Sequence, residues 1–191
     1  LKPLLKDQPE AMTRLERLED GFKAAMQQAL DNMWSHKLGL MDHSPELVSE
    51  LLQLSVDSAA DYTMLFRELS AIPEHLAPLK RSFYRPSSDQ LDARWMQWLQ
   101  QWRRQLGQNS DLQEVSSSML RVNPAVTWRE WLIAPAYTQA SEGDYSLVHE
   151  LQKVFSKPYD SLPRDLAARY DQRKPEQFFN AGGISHYSCS S

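Results

Sequence analysis

The stretch 91–106 constrains the chain more than any other. Leu91, Trp95, Trp98, Leu99, Trp102 and Leu106 recur at spacings of three and four, which places them on one side of a helix. Arg94, Gln97, Gln101 and Gln105 fall toward the other side. A buried aromatic of this kind removes roughly 150–250 Å² from water. Three of the six tryptophans on one stripe therefore require other helices to cover them. An aromatic box for a cofactor is the functional reading of such a stripe. Packing against neighbouring helices is the simpler one, and no chemistry can be read from this helix.

The covering helices are legible in order. Glu10 to Leu38 reads as a long first helix, with Met12, Leu15, Leu18, Phe22, Met26, Ala29, Met33 and Lys37 on one face. Gly39 supplies its left-handed stop. Ser44-Pro45 opens a second, strongly apolar helix, serine as cap and proline at the first position. Asp57 or Ser58 caps a third, carrying Tyr62, Leu65, Phe66 and Leu69. Pro73 and Pro78 break the next stretch, leaving one turn near Leu79 to Phe83. Ser88 caps the tryptophan helix and Gly107 ends it.

Ser110 or Asp111 starts the following helix, which Asn123-Pro124 stops, because a residue before proline is pushed out of the helical region. Trp128, Trp131 and Leu132 belong to the next, where Pro135 should cause a kink or an early end. Gly143-Asp144 turns into a last helix through Phe155. Pro158, Pro163 and Pro175 keep the remainder irregular. No segment alternates with period two. The expected fold is all-α: an irregular multi-helix bundle over residues 1–156 and a largely irregular C-terminal tail over 157–191.

Composition narrows the function. A net charge of −4 and no basic stripe argue against a nucleic-acid partner. No run approaches the roughly 18 apolar residues of a membrane span. The single cysteine excludes an internal disulfide and fits a cytoplasmic setting. No Gly-rich loop follows a strand, so phosphate cradles of that kind are missing. The chain begins with Leu1 rather than methionine, which suggests removed residues or a part of something longer.

Candidate chemistry is sparse. His36 and His43 stand seven apart across a helix stop, and solvated or capping roles suit them better than a metal. Asp57 and Asp61 stand four apart; paired acids can bind Mg²⁺ or move protons, but a cap and a helix-start acid explain both. Arg94, Arg103 and Arg104 form a small basic cluster, and Arg129 could stack on Trp128. Cys189 is third from the end, with His186 nearby, and a terminal thiol is reachable by oxidants. No catalytic, cofactor-binding or metal-binding residue emerges.

Several pieces occur in an order and spacing that resemble the C-terminal part of the selenoprotein O family, the YdiU-like proteins of bacteria. They are Lys37-Leu38-Gly39-Leu40, Asp61-Tyr62-Thr63, Phe66-Arg67 and Leu69-Ser70. Val122-Asn123-Pro124, Arg129, Trp131-Leu132, Gly143-Asp144, His149, Leu151 and Pro158-Tyr159 follow, and Ser188-Cys189-Ser190-Ser191 closes the chain. The resemblance implies a kinase-like parent that transfers AMP from ATP to protein hydroxyls with a divalent metal, Mg²⁺ or Mn²⁺. It implies that nucleotide, metal and base sites lie in a more N-terminal portion. That portion would be the partner of this chain, together with the parent's protein substrates. Cys189 matches the family's redox position, paired with a cysteine elsewhere.

Three functions compete. The first is an inert helical segment of such an adenylyltransferase, buttressing the kinase-like lobe and presenting Cys189 as a redox switch. It predicts an exposed apolar patch where the missing lobe docks. The second is a stand-alone helical interaction module with a wholly polar surface. The third, a thiol oxidoreductase, is disfavoured because one cysteine cannot resolve its own intermediate.

Overall fold

A computed structural model describes residues 9–107 and 111–179. Among them there are eight α-helices and no strand. They are α1 (Pro9–Leu38), α2 (Pro45–Asp57), α3 (Tyr62–Leu69), α4 (Asp89–Leu106), α5 (Leu112–Leu120), α6 (Glu130–Ser141), α7 (Ser146–Phe155) and α8 (Arg164–Tyr170). The all-α expectation holds, and the boundaries follow local chemistry. Ser88 Oγ accepts from the Leu91 amide at the head of α4, and Asp111 Oδ1 accepts from Gln113 N at the head of α5. Asp144 Oδ1 takes the Ser146 amide after a left-handed Gly143.

α4 is the centre of the first core. Trp95, Trp98, Leu99, Trp102 and Leu106 are all buried. Each indole N–H reaches a different piece of the chain. Trp95 donates to Ser58 Oγ at 2.8 Å, Trp98 to the Leu47 carbonyl at 2.8 Å and Trp102 to the Leu38 carbonyl at 2.9 Å. One helix thereby fixes the C-terminal end of α1, the start of α2 and the turn between α2 and α3. Leu51, Leu54, Leu65, Phe66 and Leu69 fill the same core.

A second core gathers Val126, ahead of α6, with Trp131, Leu132, Ala136, Leu151, Val154 and Tyr170 from α6, α7 and α8. Pro135 does not end α6, which runs on to Ser141. Proline in the second turn removes only one bond of the ladder, the one to the carbonyl four residues back. The described part of the stretch expected to be irregular, residues 157–179, holds α8 and a 3-10 turn at Glu176–Phe178. Tyr170 is the chief anchor of α8: its ring is buried in the second core and its hydroxyl donates to Glu150.

Two caps differ from expectation. Neither Asp57 nor Ser58 caps α3; Asp57 ends α2 and Ser58 is its C-cap. The chain reverses through a left-handed Ala59, and Asp61 becomes the cap, accepting from Met64 N at 3.0 Å. Ser44 stands at the N-cap of α2 without a capping bond; its hydroxyl accepts from Gln105 instead.

Candidate docking surface

The helix α1 is the anomaly from which the site is built. Only its last turns are seated, on α3 and α5, with Ser35 and Leu38 buried. Every residue from Glu16 to Leu30 is exposed. Leu18 is 64% exposed, Phe22 66%, Met26 48% and Leu30 42%. Four such side chains present a few hundred Å² of apolar surface, the size at which a patch on a monomer marks a binding site. Side-chain pairs one turn apart hold the arm helical: Lys23 with Glu19, Gln27 with Asp31 and Gln28 with Asn32.

The seated end carries a polar node. Lys37 continues the apolar face of α1. Its Nζ donates to Asn123 Oδ1 at 2.9 Å and lies 4.7 Å from the Phe66 ring centre and 5.2 Å from that of Tyr62. Burial holds its ammonium below the ordinary lysine range. Asn123 is fully buried; its Nδ2 donates to the Lys37 carbonyl at 2.8 Å and to Ser70 Oγ at 3.0 Å. Arg67 donates to the carbonyls of Leu120 and Asn123. Among the described residues, no carboxylate lies within ion-pair distance of Lys37.

A second polar cluster joins the two cores. Arg129 makes a two-pronged pair with Asp61 at 2.7 and 2.8 Å and also donates to the Gln172 carbonyl. Tyr84 donates to Asp61 Oδ2 at 3.4 Å and accepts from Lys174 N at 2.7 Å. The Asp61 carboxylate and the Arg129 guanidinium are spent on each other and on neighbouring chain segments, so the arrangement is a clamp rather than a reacting centre. The stack of Arg129 on Trp128 gives way to this pair; Trp128 stacks on Phe155 at 4.8 Å.

The other candidates disperse. Arg94 bridges Glu50 and Asp57, and Arg103 binds the Ile72 carbonyl and Glu74, so two of the three arginines are paired with acids; Arg104 donates to the Gln100 carbonyl. The Asp57 carboxyl is held below its usual range by the Arg94 guanidinium. His43 lies 3.3 Å from Asp31. No group of three or more His, Cys, Asp or Glu that could hold a metal occurs among the described residues. Cys189 and His186 lie outside the described residues. No described helix is long and apolar enough to cross a membrane.

Lys37 and Asn123 figure in the sequence only as a face residue, a helix stop and pieces of the resemblance; their pairing across 86 residues is not readable there. What the pattern does show is a lysine on the dry face of an amphipathic helix, and an asparagine beside a helix-stopping proline.

Comparison with known proteins gives one consistent answer. The family model for protein adenylyltransferase SelO matches residues 3–156. A protein nucleotidyltransferase YdiU of Xanthomonas axonopodis pv. citri is 34% identical over 200 residues, covering 100% of this chain and 37% of the relative. The protein of the same name in Xanthomonas oryzae pv. oryzae is 32% identical over 199 residues, again with 37% of its length covered. That of Xanthomonas campestris pv. campestris is 29% identical over 199 residues with the same coverage. The chain thus spans little more than a third of the length of these relatives.

Proposed function

This chain belongs to the protein adenylyltransferase SelO family, and we propose that it is the helical scaffold of a longer enzyme that transfers AMP from ATP to protein hydroxyls. In this reading the rest of the longer protein holds ATP, Mg²⁺ or Mn²⁺ and the catalytic base. This chain is inert alone and works in the cytoplasm. The observation that carries the reading is the uncovered apolar stripe of α1, on a chain whose relatives have nearly two thirds of their length outside the match. A stand-alone interaction module would expose such a stripe too, but it does not account for relatives that carry the matching segment within a much longer protein.

The test compares the isolated chain with a longer family protein that contains it. A hydrophobic dye should bind the isolated chain, lose that binding in Leu18→Ser/Phe22→Ser/Met26→Ser, and fail to bind the longer protein at this patch. Dye binding that is the same in all three would overturn the reading.

The proposal extends to Cys189 as a redox residue, on its match to the family's terminal position. Its thiol would form a disulfide with a cysteine in the rest of the protein, an external oxidant removing two electrons and two protons. AMP transfer by the longer protein should respond to oxidation, and Cys189→Ser should abolish the response. Identical responses would remove this part.

A further inference from the structure

We infer that Lys37 is the charged end of the docking surface, and that it receives a carboxylate from the rest of the longer protein when the α1 stripe is covered. The inference rests on the scaffold reading above and adds to it the chemistry of the partner surface: an apolar ridge ending in an aspartate or glutamate.

Continuity is the first argument. Lys37 lies on the same face of α1 as Phe22, Met26 and Met33, and exposed Tyr62 borders it. A partner laid along the stripe arrives at Nζ. Incomplete satisfaction is the second. An ammonium has three donors. The described residues offer it one acceptor, Asn123 Oδ1, and two ring faces. A half-buried charge with no counter-ion among the described residues is costly, and a methionine could fill the same aromatic seat without a charge. The charge is explained if a counter-ion comes with the partner.

The neighbours decide between a carboxylate and a phosphate. A phosphate site gathers several donors. Around Nζ there are an acceptor and aromatic faces, and the nearby Arg67 is spent on two carbonyl oxygens. One cation at the edge of an apolar stripe matches a singly charged side chain on a protein surface.

Two experiments test this. In the first, acetylation by an N-hydroxysuccinimide ester is followed at Lys37, with exposed Lys23 as the rate standard, and peroxide oxidation is followed at Met26. The isolated chain and a longer family protein containing it are compared. Both sites should react at least tenfold more slowly in the longer protein. If Met26 is protected and Lys37 is not, the scaffold reading stands and this inference falls. If neither is protected, both fall. Protection of Lys37 without Met26 also overturns the inference, since the partner would not have come along the stripe.

In the second, Lys37→Met separates pairing from mere coverage. It removes the donor to buried Asn123 Oδ1 in both proteins, and should accelerate proteolysis of the longer protein at least tenfold more than that of the isolated chain, because only there is a carboxylate also buried unpaired. Equal effects on both, or none on either, overturn the inference.

Discussion

The two cores of this molecule are held by different means. In the first, three indoles bury their rings and each spends its N–H on a distant acceptor, so burial and hydrogen bonding point the same way. In the second, the Trp131 ring is buried but its Nε1 finds no acceptor among the described residues, and the helix that carries it contains Pro135. Polar contacts compensate there: Tyr170 and Arg169 both bind Glu150, and Arg129 ties α6 back to Asp61. The second core is tied to the first through the pair of Arg129 with Asp61.

That contrast can be broken at its strongest point. Trp102→Ala removes a fully buried ring and the bond to the Leu38 carbonyl, and should cost about 3–5 kcal/mol in urea unfolding. Both cores should unfold together, and survival of the first without Trp102 would refute its central role. Arg129→Met is next. It leaves Asp61 buried without its partner, at about 3 kcal/mol. Hydrogen exchange should speed up in α6–α8 while α2 and α4 stay protected. Uniform acceleration would mean that the cores are one cooperative unit.

Leu151→Ala should cost about 2–3 kcal/mol, with exchange again confined to the second core. Tyr170→Phe should cost about 1 kcal/mol, the worth of one hydrogen bond. This hydroxyl also sets a pH dependence. Burial, reinforced by the bond to Glu150, pushes its pKa from 10.0 up to about 12. The folded state therefore holds the proton more tightly than the unfolded chain. Its stabilisation is complete below pH 10 and lost as pH rises from 10 to about 12. The Phe variant should lack that fall, and α4 amides should not register it.

The smallest effect separates both cores from the arm. Phe22→Ser should change the stability of the isolated chain by no more than about 0.5 kcal/mol, since the side chain is 66% exposed.

What the sequence discloses follows the range of the interaction. The tryptophan stripe, the Gly39 stop and the Ser88 cap are local, and periodicity with turn chemistry finds them. Which acid caps α3 depends on the reversal at Ala59, a non-glycine residue in a left-handed pose that no composition rule flags. The pairing of Asp61 with Arg129 spans 68 residues, so neighbours in sequence say nothing of it. α8 was hidden among prolines because few residues anchor it, chiefly Tyr170 with Arg169 and Leu166. The docking surface was half visible: the dry face of α1 was plain, but that no other described helix would cover it was a tertiary fact.

The pose of Gly39 reaches further than a helix stop. Its φ is +66°, and a Cβ there would sit 2.6 Å from Val115 Cγ1 and 2.9 Å from Met119 Sδ. This pivot therefore sets the bearing of α1, whose 30 residues make a rod about 45 Å long. Tilting such a rod by about 5° at its base swings the tip by about 4 Å, roughly three-quarters of a helical turn. A missing methylene at position 39 thus acts as a gunsight, and the smallest residue in the chain governs where its longest element points.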